Sequence, residues 1–136
     1  MQKRLYLPLF SLLFSLLMLV SCEKDAGKLP AIEFKTIAGY VSTDTTVAQG
    51  DAVLVGIIAQ KTEDKDVLKT FNVSASFDGG ASTSLLTQSL SGSEGDLFQA
   101  DMPITVRNQA GTEQYTFTVT NRDGLTNSVS LTLTVQ

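Results

Sequence analysis

The sequence contains no histidine and no tryptophan, and it has a single cysteine, Cys22. Each absence excludes something. Without histidine there is no Ser-His-Asp or Cys-His arrangement for nucleophilic catalysis, and zinc loses its usual nitrogen ligand. With one cysteine no intramolecular disulfide can form, so the fold must rest on its apolar core alone, even in an oxidising compartment. Without tryptophan the strongest stacking ring for a sugar face is missing. Basic residues are also short, 10 against 14 acidic ones for a net charge of −4. A chain without a basic stripe is a poor candidate for nucleic acid, because phosphate contacts need Lys and Arg.

What is present begins with the N-terminus. Lys3 and Arg4 form a cationic start, Leu5 to Val20 is apolar apart from Ser11 and Ser15, and small Ser21 precedes Cys22. A charged start, an apolar stretch and a small-residue exit read as a secretory signal. A membrane-spanning helix is the alternative, but it needs about 20 apolar residues, and this run is shorter and ends at a cysteine. Residues 1–21 are therefore expected to be removed. The remainder is more acidic still, since Lys3 and Arg4 leave with the signal. It is long enough for one domain and too short for two.

Leu19-Val20-Ser21-Cys22 resembles the bacterial lipobox. The resemblance implies cleavage between Ser21 and Cys22 and attachment of diacylglycerol to the Cys22 thiol, with acyl chains such as palmitate. One chain holds a protein to a bilayer only reversibly, whereas two or three hold it stably. The other reading of Cys22 is a free thiol. Residues 22–30 are polar and aperiodic, and are expected to form a flexible tether. Glu23, Lys24 and Asp25 are similar to the surface-export signal of Bacteroidetes lipoproteins. The alternative is a solvated linker and nothing more. The resemblance implies an outer-membrane location with the domain facing outward; a periplasm-facing domain is the other possibility.

From Ala31 to the C-terminus the apolar period is two, which is the period of strands. Ile32 and Phe34 alternate with polar neighbours, and Tyr40-Val41 and Thr46-Val47-Ala48 are short β-prone pieces. Ala52 to Ala59 is apolar on both parities, as a strand covered on both faces should be. Gly56 inside it marks a bulge or a close approach of backbone. Phe71, Val73, Ala75 and Phe77 alternate with polar residues up to a tight turn at Asp78-Gly79-Gly80. Ser82 to Thr87 reads as a weak edge strand, and Ser89 to Asp96 as the longest flexible loop. Phe98 to Val106 is a strand that Pro103 confines to an edge or a bulge. The clearest signal is last. Tyr115, Phe117 and Val119 lead through Asn121-Arg122-Asp123-Gly124 to Val129, Leu131, Leu133 and Val135, a hairpin with one apolar and one Thr/Ser face.

About seven or eight short strands at this spacing predict an all-β antiparallel sandwich over residues 31–136. The closing hairpin resembles the last two strands of bacterial Ig-like domains, although the paired cysteines and core tryptophan of antibody domains are absent. Tyr115 lies two residues before Phe117, where those domains carry a cysteine, so it is either a tyrosine corner or a plain inward or rim aromatic.

No reacting group stands out. Asp64 with Asp66 and Glu94 with Asp96 sit in charge-rich loops and read as solvated faces rather than paired carboxylates across a cleft. Asp64-Lys65-Asp66 and Asn121 to Gly124 carry oxygen ligands but not the twelve-residue calcium loop. Gly79-Gly80 and Gly92 are turn glycines with no helix behind them to cradle phosphate. The expectation is that the protein is not an enzyme and has no catalytic residue, metal site or cofactor. Candidate binding residues lie on loops over the sandwich: Lys61, Asp64, Asp66, Asp78, Glu94 and Asp96, with Tyr40 and Phe98 flanking loops as stacking aromatics. The implied partners are the membrane through the lipid and either a glycan or another envelope protein. The expected function is a non-catalytic anchored protein that mediates binding or assembly at the bacterial surface. The alternatives are a glycan-binding accessory module of a polysaccharide-uptake system and a pilus or adhesin subunit completed by strand exchange.

Overall fold

A strand exposed on one face needs a second layer to cover its apolar side, and the alternating segments supply two. The computed structural model describes residues 26–136. Its strands are β1 (Ala31–Phe34), β2 (Thr45–Val47), β3 (Ala52–Gln60), β4 (Leu68–Phe77), β5 (Thr83–Ser89), β6 (Leu97–Thr105), β7 (Gly111–Asn121) and β8 (Thr126–Val135), with one 3-10 turn at Gly92–Gly95. They form a three-stranded sheet in the order β1-β3-β6 and a five-stranded sheet in the order β2-β8-β7-β4-β5. The expected all-β sandwich of two sheets is what the chain forms.

The β7–β8 hairpin explains why the pattern is so legible. Tyr115 pairs with Leu131 and Phe117 with Val129, so all four point to the same side. On the opposite parity Ser74, Thr116 and Ser130 line up across β4, β7 and β8, and so do Asn72, Thr118 and Ser128. Apart from exposed Lys69 at the start of β4, the outer face of the five-stranded sheet is thus hydroxyl and amide groups without charge. β-branched threonine favours the extended backbone there without needing cover.

The inner faces meet in one core. Phe71 and Phe117 stack with centroids 6.5 Å apart, Phe98 from the opposite sheet tilts onto Phe71 at 4.9 Å, and Phe34 meets Phe117 edge-on at 5.9 Å. Ile57, Leu68 and Leu133 are fully buried around them. With no disulfide, this layer carries the stability.

Several expectations resolve in detail. Pro103 lies in β6, an edge strand, where a missing ladder donor costs nothing on the open side. Asp78 and Gly79 both have positive φ (53° and 73°), the conformation of a type I′ turn. Gly56 is a close approach. Lys35 N donates to Gly56 O at 2.8 Å, and a Cβ on Gly56 would lie 2.6 Å from Lys35 Cδ and 2.7 Å from the Tyr40 ring. The segment around Tyr40 therefore covers the outer face of β3, which accounts for its apolar residues on both parities.

Other expectations need correction. Ser89 to Asp96 is not a loose loop: Leu90 is buried, its N–H donates to Lys69 O at 2.8 Å, and Gly95 is buried in the 3-10 turn. The domain also starts before Ala31. Lys28 N donates to Glu63 Oε2 (3.0 Å), while Leu29 O accepts from Thr62 Oγ1 (2.8 Å) and Pro30 O from Asn127 Nδ2 (2.9 Å). The pairing of β2 is parallel to β8, a long-range choice that local alternation does not encode.

Phe117 is fully buried at the centre of the aromatic group. Phe117→Ala is expected to lower unfolding stability by about 3–5 kcal/mol, read from urea midpoints at unchanged m value. A loss below 1 kcal/mol would mean the core is not organised around it.

Candidate functional site

Strand directions sort the loops into two ends. The chain enters at one end, together with residues 61–67, 90–96 and 122–125. The far end gathers the turn at 48–51, the turn at 78–82, and residues 106–110. The candidate residues do not converge. Lys61, Asp64, Asp66, Glu94 and Asp96 are all at the entry end, and only Asp78 is at the far end.

At the entry end the charges serve the fold. Lys61 Nζ pairs with Asp96 Oδ1 at 2.8 Å and reaches Asp64 O at 3.3 Å. Glu94 is half-buried in the 3-10 turn, and Asp64 is exposed. Asp66 is buried, against expectation. Its Oδ1 accepts from Val67 N at 2.8 Å, and its Oδ2 from Asn121 Nδ2 at 2.5 Å. Asn121, itself buried, also donates to Lys28 O (3.2 Å) and accepts from Leu125 N (2.8 Å). Arg122 donates to Lys65 O. These contacts close the β7–β8 turn onto the entering chain. Asp66 is therefore a structural anchor and not a ligand-facing group. Phe98 is likewise a core residue, 4% exposed and packed on Phe71, which removes it from the candidate stacking aromatics.

Tyr40 is half-exposed on the outer face of the three-stranded sheet. Lys35 Nζ lies 5.5 Å from its ring centroid and 2.7 Å from Asp101 Oδ1. The Asp101 carboxylate holds the Lys35 pKa above its ordinary value, and Lys35 holds Asp101 below the usual carboxylate range. Beside them runs a shallow groove of about 330 Å³ lined by Glu33, Lys35, Ile37, Ile58 and Gln99.

A second polar cluster is at the far end. Glu113 is fully buried on the inward parity of β7. Its Oε1 accepts from Arg107 N (2.9 Å) and Arg107 Nε (2.8 Å), and its Oε2 accepts from Tyr115 Oη at 2.6 Å. Arg107 lies over the Phe77 ring at 4.6 Å. Its Nη2 is 3.0 Å from Asp78 Oδ2, at ion-pair distance but off line for a hydrogen bond. Asp78 Oδ1 accepts from Thr112 N at 2.9 Å. A Cβ at Gly111 (φ 153°) would come within 2.1 Å of that oxygen, so the carboxylate reaches the loop only because residue 111 is glycine. Burial opposes the charge on Glu113, yet the Tyr115 hydroxyl and the Arg107 amide and guanidinium outweigh it and lower its pKa. The Thr112 amide and Arg107 do the same for Asp78. Burial, then Glu113, raises the Tyr115 pKa. The Tyr115 hydroxyl thus bonds a side-chain carboxylate on its own strand, which makes it an inward aromatic. Among the described residues no group of three or more His, Cys, Asp or Glu side chains is placed to hold a metal ion.

Both Glu113 oxygens and Asp78 Oδ1 are spent on internal donors, and Asp78 Oδ2 is ion-paired with Arg107, so the network fixes the far-end loops. Arg107, Glu113 and Asn121 were not among the expected residues. Glu113 carried a usable signal: it falls on the same parity as Tyr115, Phe117 and Val119, and a carboxylate facing the core demands a partner. Cys22, Ser21, Glu23, Lys24 and Asp25 lie outside the described residues.

No protein-family model and no curated protein matches the sequence. The fold recurs in superoxide reductase (neelaredoxin) from Ignicoccus hospitalis, with a TM-score of 0.53 over 80% of this chain and 81% of that one at 8% identity. A single-substitution variant of that protein also matches with a TM-score of 0.53, at 9% identity over 79% and 80% of the two chains. At such identity the likeness is one of fold. It corrects the expectation that the chain is not an enzyme, because the same architecture serves one in superoxide reductase. The sandwich supplies no ground for excluding catalysis.

The network predicts acid sensitivity. Groups with depressed folded-state pKa values stabilise the fold fully above their ordinary pKa, near 4, and lose that contribution as pH falls through the depressed values. Glu113→Gln is expected to be less stable than wild type at pH 7, with the gap closing below about pH 4. Tyr115→Phe, which leaves Oε2 without its donor, should cost about 1–3 kcal/mol at pH 7. Urea midpoints across pH 2–8 check both; curves for wild type and Glu113→Gln that stay parallel to the lowest pH would contradict the assignment.

Proposed function

We propose that the chain is a lipid-anchored protein of the bacterial outer membrane, held through acylated Cys22, whose Ig-like domain mediates binding or assembly at the cell surface. The observation that carries the reading is the Leu19-Val20-Ser21-Cys22 segment behind a charged, apolar leader. No helix among the described residues is long and apolar enough to cross a membrane. The entering chain is pinned from Lys28 onward by Glu63, Thr62, Asn121 and Asn127. The leash from Cys22 to Lys28 then reaches at most about 20 Å, which leaves the far end and both sheet faces for contacts.

The Ig-like assignment belongs to the same proposal. The order β8-β7-β4 opposite a β3–β6 pair has the arrangement of the G, F, C and B, E strands of Ig domains, with β5 in the place of the added C′ strand. Phe117, stacked on Phe71, occupies the centre that a disulfide and tryptophan fill in antibody domains.

Fractionation with metabolic palmitate labelling tests the anchor. The wild-type chain is expected to take up label and sediment with outer membrane, and Cys22→Ala to lose both properties. A Cys22→Ala chain that still sediments with the membrane would overturn the reading.

A further inference from the structure

Two sheets leave four edges, and three of them are protected. β1 and β2 are only 4 and 3 residues long. β6 carries Asp101 and Pro103. Short length, charge and proline are the devices that keep sheet edges from pairing with other chains. β5 has neither proline nor charge: Thr-Ser-Leu-Leu-Thr-Gln-Ser runs for 7 residues, six of them exposed. No charged residue occurs between Asp78 and Glu94.

The reason β5 is bare lies in the unequal sheets. β5 is the outermost of five strands and pairs with β4, while the opposite sheet has only three. Leu86, opposite inward-facing Val73, stays 37% exposed, and Leu85 is 55% exposed. The register shifts between Val73 and Ser74, so that Leu85 has no opposite residue on β4. A β-bulge is itself one of the devices that blunt an edge, and it is the one such device β5 carries, without charge, proline or short length beside it.

The sequence of the edge selects the occupant. Ser84-Leu85-Leu86-Thr87 reads nearly the same in both directions. Antiparallel pairing of two copies about the Leu85–Leu86 midpoint sets Leu85 against Leu86 of the second copy, Ser84 against Thr87, and Thr83 against Gln88. Hydrophobic and hydroxyl pairs of this kind are the favourable cross-strand pairs. Two-fold contacts require a self-complementary patch, and a net-negative chain meets its own copy without like-charge opposition only along an uncharged line.

We infer that β5 is a homodimerisation edge, at which a second copy of this chain pairs antiparallel to give a continuous ten-stranded sheet. The two-fold axis stands perpendicular to the sheet, so the uncharged hydroxyl faces of both copies become one surface. Strand direction reverses across the axis, and the two entry ends point apart. Where both copies are anchored in one bilayer, the leash of about 20 Å accommodates them lying with their strands along the membrane. The contact is smaller than a standard interface of about 1,200–2,000 Å², so it is weak in solution and gains from confinement on a surface. The inference stands on the edge strand and not on the lipid.

Oxidation of the full chain in its native membranes tests it. Ser84 Oγ and Thr87 Oγ1 lie 3.5 Å apart within one copy, so the two cysteines are placed in separate chains: Ser84→Cys and Thr87→Cys chains co-expressed in equal amounts face each other across the two-fold and are expected to give a disulfide-linked dimer on a non-reducing gel that neither gives alone. Adding Leu86→Lys should reduce that dimer at least about tenfold, and Gln99→Cys/Asp101→Cys on β6 should give no comparable band. Wild type is run beside them: a disulfide through Cys22 in wild type would count against the anchor, not against the edge. An absent dimer in the β5 pair, an equal dimer at β6, or linkage to a different protein would each overturn the inference. Circular dichroism verifies that these exposed substitutions leave the fold intact. Sedimentation of the unsubstituted chain gives a second reading: a mass that shifts toward two copies with concentration supports the edge, and a monomer at every concentration up to about 1 mM refutes it.

Discussion

One layer of apolar side chains, held between five strands and three, carries the whole fold. With a single cysteine in the chain, no disulfide within it shares the load. The constraint is the mismatch in width. Three strands can cover β7, β4 and β8 but not β5, so the core is deep at Phe71 and Phe117 and thins to nothing at Leu86. Where it is deep, the chain tolerates a hydroxyl face with no covering layer. Where it thins, apolar side chains remain in water.

The same economy governs the polar interior. Asp66, Glu113 and Asn121 are buried, and each is matched by donors or acceptors from a different stretch of chain. Buried charge is tolerated only with such matching. The two clusters sit at opposite ends of β7. Asp66 and Asn121 bind the entering segment to the turn between β7 and β8, and Glu113 binds the loop from β6 to β7. They fix the ends of the sandwich as the aromatics fix its middle, and both are occupied internally. Contact surfaces therefore have to be sought elsewhere, on the outer faces and the open edge.

Much of this was legible in the residues. Alternation in Tyr115 to Val119 and Val129 to Val135 specified strand, register and inward face together, because a one-residue slip would turn every apolar side chain outward. Pro103 marked an edge and Asp78-Gly79 a primed turn through rules that are local. What stayed hidden was mostly long-range: the parallel partner of β2, and the clasp of residues 28–30 by Glu63, Thr62, Asn121 and Asn127; the meeting of Arg107 with Glu113, six residues on, was hidden by the irregular loop between them. The charged loops misled for a related reason. A run such as Lys61 to Asp66 looks the same whether it is solvated or folded over, and only the neighbouring β7–β8 turn decides that Asp66 is inside. Phe98 misled because an aromatic at a strand start is equally suited to core and rim.

The likeness to superoxide reductase is one of fold, and the fold leaves open which chemistry or contact it serves. Unequal sheets leave β5 open in the single chain, and a second copy closes it. Hydrogen exchange measured by mass spectrometry across a concentration series tests this most directly. Within residues 83–89, the amides that point away from β4 should exchange rapidly in dilute protein and become protected as concentration rises, while those of β6 on the opposite sheet stay unchanged. Protection of residues 83–89 that is the same at every concentration would contradict it.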